Sequence, residues 1–91
     1  MNMFSLNDAV YAANELQISF DEFNIKDFLT GLNIELEHGN INPLTNVTNN
    51  DVIMTAKIAL AHLLEYPNYY NEEYGLPMFE KMLNDKLKKN N

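Results

Sequence analysis

Apolar residues recur along this chain at the three- and four-residue spacing of helices, and no stretch alternates with the two-residue period of a strand. Four helices are predicted. The first, about 6–16, starts at the capping box Ser5-Leu6-Asn7-Asp8 and carries a thin stripe of Leu6, Val10 and Ala13. The second, about 20–38, starts at Ser19-Phe20-Asp21-Glu22, with Ile18 and Phe23 placed as a hydrophobic staple. Ile25, Phe28, Leu29, Leu32 and Leu36 form its face, and Gly39 is expected to end it as a left-handed cap. The third, about 49–65, starts at Thr48-Asn49-Asn50-Asp51, with Val47 and Val52 as staple, and stops at Pro67. It is apolar nearly all round, with Lys57 alone clearly turned to water, so it is expected to be the covered centre of the domain. After a turn or short helix at 68–75, Pro77 suits the first turn of a fourth helix carrying Met78, Phe79, Met82 and Leu83. The predicted fold class is all-α: one domain over 1–91, a bundle of four helices (five if the turn is helical) around the helix at 49–65. A Lys/Asn tail from about 86 is expected to fray.

Charge adds an asymmetry to this plan. The chain carries thirteen acidic and six basic residues, all six of them lysine, for a net charge of −7. Lys81, Lys86, Lys88 and Lys89 lie in the last eleven residues, so the acidic excess belongs to the rest. Without arginine there is no bidentate reading of phosphate or guanine, and direct nucleic-acid binding is not expected. The absence of cysteine excludes disulfides, thiolate metal sites and a cysteine nucleophile. Met1 to Leu16 lacks the pattern of a signal peptide, and no run approaches the roughly 20 apolar residues of a membrane span. A cytoplasmic location, bacterial or in an infected cell, is therefore expected, with a virion as the alternative.

Candidate chemistry is sparse. Glu35-x-x-His38 and His62-x-x-Glu65 put a histidine and a carboxylate on one side of two successive helices, a spacing used by Zn, Fe and Mn sites. In an antiparallel hairpin His62 would lie roughly 16 Å beyond His38, at 1.5 Å per residue. The better cluster in that arrangement is Glu35, His38 and Asp51; a site that joins both histidines closes only if the two helices run roughly parallel or two chains meet. The same residues have plain structural readings: a helix C-terminus favours His38, Asp51 belongs to a capping box, and His62 suits a hydrogen-bonded place on the minor face of its helix, with Glu65, Tyr69 or Tyr70 as partner. The only serines, Ser5 and Ser19, are both expected caps, so no nucleophilic triad can be assembled, and no enzyme is expected. Tyr66, Tyr69, Tyr70 and Tyr74 cluster within nine residues, a composition enriched at protein interfaces.

Two blocks carry a resemblance. Glu35-Leu36-Glu37-His38-Gly39, preceded by Gly31-Leu32, and Ile58-Ala59-Leu60-Ala61-His62-Leu63-Leu64-Glu65-Tyr66-Pro67-Asn68-Tyr69-Tyr70 together resemble an uncharacterised family of short proteins of bacteria, phages and large DNA viruses. The resemblance marks Glu35, Glu37, His38, Gly39, His62, Glu65, Pro67, Tyr69 and Tyr70 as family-pattern positions, and it implies no activity. The expectation is a non-enzymatic, acidic protein-interaction module, a phage or viral accessory protein or virion component, using Tyr66, Tyr69, Tyr70 and Tyr74. Its expected partner is another protein, a basic one or a second copy. The alternative is a divalent-metal domain using Glu35, His38, Asp51, His62 and Glu65.

Overall fold

A computed structural model describes residues 3–89, with side chains through Leu87. The described residues are all-helical: α1 (Leu6–Glu15), α2 (Ile25–Glu35) continued by a 3₁₀ turn (Leu36–His38), α3 (Val52–Glu65) and α4 (Leu76–Lys89). α1, α2 and α3 pack against one another pairwise, and α4 packs on none of them to a comparable extent.

α1 begins as expected. Ser5 caps it, and the Asp8 carboxylate accepts a hydrogen bond from the Ser5 N–H at 2.8 Å. Its buried face differs from the predicted stripe: Ala9, Ala12 and Ala13 are buried, while Leu6 and Val10 are about half exposed. Ala9, Ala12, Ala13 and Leu16 follow the i, i+3, i+4, i+7 spacing of one face, and small side chains there let the helix lie close against its neighbours. α1 ends in a paired turn. The Ile18 N–H bonds to the Ala13 carbonyl and the Gln17 N–H to the Asn14 carbonyl, with Gln17 at φ 55° in the left-handed position usually given to glycine.

α2 starts five residues later than the capping pattern at Ser19 predicted. Asn24 is the cap, accepting from the Asp27 N–H at 2.7 Å, while the Ser19 hydroxyl turns to Asp21. The freed segment brings Phe20 edge-on to Phe23 and Phe28, with centroids 5.7 and 5.9 Å apart, so aromatic packing decides between two adequate start signals. Gly39 is not left-handed (φ −99°). A side chain there would collide with the Asn50 side-chain oxygen, so space rather than backbone sign accounts for the glycine.

The loop 39–51 folds back on the end of α2. The Val47 and Thr48 N–H groups both donate to the His38 carbonyl. Thr48 is fully buried and caps nothing; its hydroxyl oxygen accepts from the Asn50 N–H within the loop. Asp51 is the cap of α3, accepting from the Met54 N–H at 2.9 Å, so the helix starts three residues later than predicted. α3 is the central helix as expected. Thr55, Ala56, Ala59 and Leu63 are buried between α1 and α2, although Met54 and Leu64 reach solvent. α4 continues to Lys89 through most of the stretch expected to fray; residues 90–91 of that tail lie outside the described residues.

Candidate functional site

Glu35 ends α2 with its side chain pointing inward, 4% exposed. Such a carboxylate costs several kcal/mol to desolvate unless it is bonded. Three side chains supply its partners. The Tyr70 hydroxyl donates to Oε2 at 2.6 Å across thirty-five residues of sequence. His38 Nε2 approaches Oε1 at 3.5 Å from one helical turn on, and His62 Nε2 approaches Oε2 at 3.9 Å from the last turn of α3. Both imidazoles keep an accessible edge, at 44% and 38% exposure, so the carboxylate is sealed beneath two half-open histidines.

The predicted separation of the two histidines along an antiparallel hairpin is not found. That separation holds only for an antiparallel pair, whereas here the C-terminal turns of both helices meet at Glu35. Here the long side chains of His38, His62 and Glu35 converge on one point from two helices. Asp51 is absent from the cluster because its carboxylate is committed to the α3 N-terminus. Glu37 faces solvent, with its Oε1 3.6 Å from His38 Nε2, and Glu65 is exposed at the end of α3.

The aromatic pair completes the site. His62 stacks on Tyr69 at 4.4 Å between centroids with the planes 6° apart, and Tyr70 meets both rings edge-on at 6.2 and 4.9 Å. Tyr70 is fully buried because Gly31, in the middle of α2, leaves its ring room. A methyl group on Gly31 would come within 2.6 Å of two ring carbons. Gly31 is the residue that the site prediction missed. Its signal was in the sequence, since a glycine inside a helical pattern marks a close approach. Burial first, then the bond to Glu35 and its negative charge, hold the Tyr70 phenol far above its ordinary range. Tyr69 is shifted the same way, first by burial and then by the charges of Glu35, Glu65 and Glu80.

Chemically, this arrangement is a closed polar clasp. Among the described residues no buried side-chain nitrogen or oxygen lacks a partner, and no three His, Asp or Glu side chains are set to hold a metal ion together. Glu35 Oε2, the oxygen nearest His62, is already taken by Tyr70. The clasp fixes the turn after α3 onto α2, and Pro67, at the start of that turn, stops the helix so that the chain can double back.

The remaining tyrosines belong to a different surface. Tyr66 and Tyr74 are 59% and 67% exposed and, with Tyr69, Leu76 and Phe79, line an open cleft of about 530 Å³ at the root of α4. From there Phe79, Met82, Leu83 and Leu87, all more than half exposed, continue along α4. Among the described residues no helix is long and apolar enough to cross a membrane, so this face is not a spanning segment.

Residues 9–76 match the model of a family described as "Protein of unknown function (DUF5661)". No curated protein and no solved structure matches the chain. The matched stretch contains α2, α3, the clasp and most of α1, and it ends at the first residue of α4.

Proposed function

Because the chain belongs to the DUF5661 family, a family of unknown function whose matched region stops where α4 begins, we propose that it is a protein-interaction module with α4 as its docking arm. The observation that carries this reading is the uncovered apolar stripe of α4. Phe79, Leu83 and Leu87 fall at i, i+4 and i+8 on one face and are all more than half exposed, whereas Leu76 at the root of the helix packs against the core of the body. A lone helix of fourteen residues is marginal in water, and an amphipathic one gains its stability by burying that face. Helix-in-groove docking, with anchors one turn apart, is the mode this spacing suits. The excess of acid in the body favours a partner with a basic rim, through faster encounter more than through affinity. A phage or viral accessory role, cytoplasmic or virion-associated, is the setting suggested by the resemblance of the two sequence blocks.

The test is affinity capture with the intact chain and with a Leu83→Glu, Leu87→Glu double variant. A protein, a second copy included, that the wild type retains and the variant loses is the expected result. Identical captured sets would overturn the docking arm.

One observation favours a second reading. His38 approaches Oε1 and His62 approaches Oε2 of the same buried carboxylate from half-open positions, so turning the Tyr70 hydroxyl off Oε2 would leave each imidazole beside one free carboxylate oxygen. Zn, Fe or Mn bound there would have Glu35, His38 and His62 as ligands. Elemental analysis of the purified chain decides it. Near-stoichiometric metal lost in His62→Ala supports the site, and no uptake after reconstitution removes it.

A further inference from the structure

The cleft at the root of α4 is lined by aromatic and other uncharged residues. Tyr66, Tyr69, Tyr74 and Phe79 give it four aromatic side chains, and Asn68, Gly75 and Leu76 complete the lining. None of its lining residues is basic. Aromatic faces carry negative quadrupole density and attract organic cations, most strongly where several rings share one site. The surrounding field has the same sign. Glu35, Glu65 and Glu80 all act on the Tyr69 hydroxyl as negative neighbours.

We propose that this cleft is the subsite for a lysine side chain of the protein partner, its alkyl stem lying on the aromatic wall and its ammonium directed to the acidic rim. A lysine suits the two halves of the site in turn, since its four-carbon stem is apolar and its head is a compact, strongly hydrated charge that stays in water at the open mouth. The volume, about 530 Å³, accommodates such a side chain without any movement of the clasp beneath it. The proposal deepens the docking-arm reading and rests on it: the cleft is continuous with the α4 stripe through Phe79, so a partner seated on α4 brings its neighbouring residues across the cleft.

The experiment is a titration of the full chain with a short lysine-rich peptide, with the same peptide acetylated on every Nε, and with tetramethylammonium, followed by aromatic proton–carbon NMR. The charged peptide and tetramethylammonium should shift the ring signals of Tyr66, Tyr69, Tyr74 and Phe79. Acetylation should weaken binding about tenfold, and Tyr74→Ala or Phe79→Ala should do the same. Both residues are more than half exposed, so these variants keep the fold. Equal binding of the acetylated peptide would overturn the cation subsite, as would shifts spread over the acidic body with the cleft rings unmoved, or no shifts at millimolar peptide. Leu83→Glu leaves the cleft intact and should titrate like the wild type. Loss of partner capture in that variant with an unresponsive cleft therefore refutes the subsite alone, whereas capture indifferent to Leu83 refutes the docking arm.

Discussion

The three-helix body and α4 have similar shares of large apolar residues and use them in opposite ways. In the body, Phe28, Leu32, Leu63 and Tyr70 are completely buried, and even the polar Glu35, Thr48 and Thr55 lie inside with bonded partners. On α4, Phe79, Met82, Leu83 and Leu87 are 54–63% exposed. Hydrophobic stabilisation scales with apolar area removed from water, so the same side chains that stabilise the body contribute little to the isolated chain when carried on α4. Their gain is deferred to whatever covers them. The body is thus a scaffold whose polar centre is closed, and α4 an element whose apolar face is open. A family match that covers the first and stops at the second agrees with that division.

Mutations separate the two regions by magnitude. The largest effect belongs to Phe28→Ala, which empties a fully buried ring position in the centre of the body. It should cost about 3–5 kcal/mol in chemical denaturation. A loss below about 1 kcal/mol would mean that the body packs no more tightly than α4. Gly31→Ala should follow, at about 1–3 kcal/mol, because the added methyl meets the Tyr70 ring and overpacks the clasp. The diagnostic is that the Tyr70 ring resonances shift in NMR.

Tyr70→Phe removes the hydroxyl and leaves Glu35 short of its closest donor, for a cost of about 1.5–3 kcal/mol. The pH dependence sharpens this. The folded phenol titrates above the unfolded one, so its stabilisation is whole below the unfolded value of about 10 and is lost as pH rises past it. Above that value the wild type should lose up to about 1.4 kcal/mol per pH unit from this group, and Tyr70→Phe should lack that part of the alkaline slope. Equal slopes would place Tyr70 outside the clasp. The smallest effect is expected on α4, where Leu83→Ala should change the stability of the monomer by less than about 0.5 kcal/mol. A loss of several kcal/mol at protein concentrations where the chain is monomeric would show α4 packed on the body and end its role as a free arm.

The sequence by itself determined the helical class, the number of helices and most of the stop positions, because periodicity, proline and capping residues act within a few neighbours. Ser5 with Asp8 is a local pair and was read correctly. Asn24 competed with Ser19, and Asp51 with Thr48, as caps of equal chemistry. The choice fell to Phe20, Phe23 and Phe28 packing in the first case and to the burial of Thr48 in the second, both contacts between segments. The residues of the clasp were also legible as types: Glu35, His38, His62 and Tyr70 stand out as polar or aromatic positions in repeated patterns. Their meeting was not, because it depends on how α2 and α3 pack and on Gly31 admitting a ring from thirty-nine residues away. Tertiary structure alone also decided which apolar faces stay open. The stripe on α4 and the faces of α1 and α2 obey the same periodicity, and only the placement of their neighbours makes one a core and the other a surface.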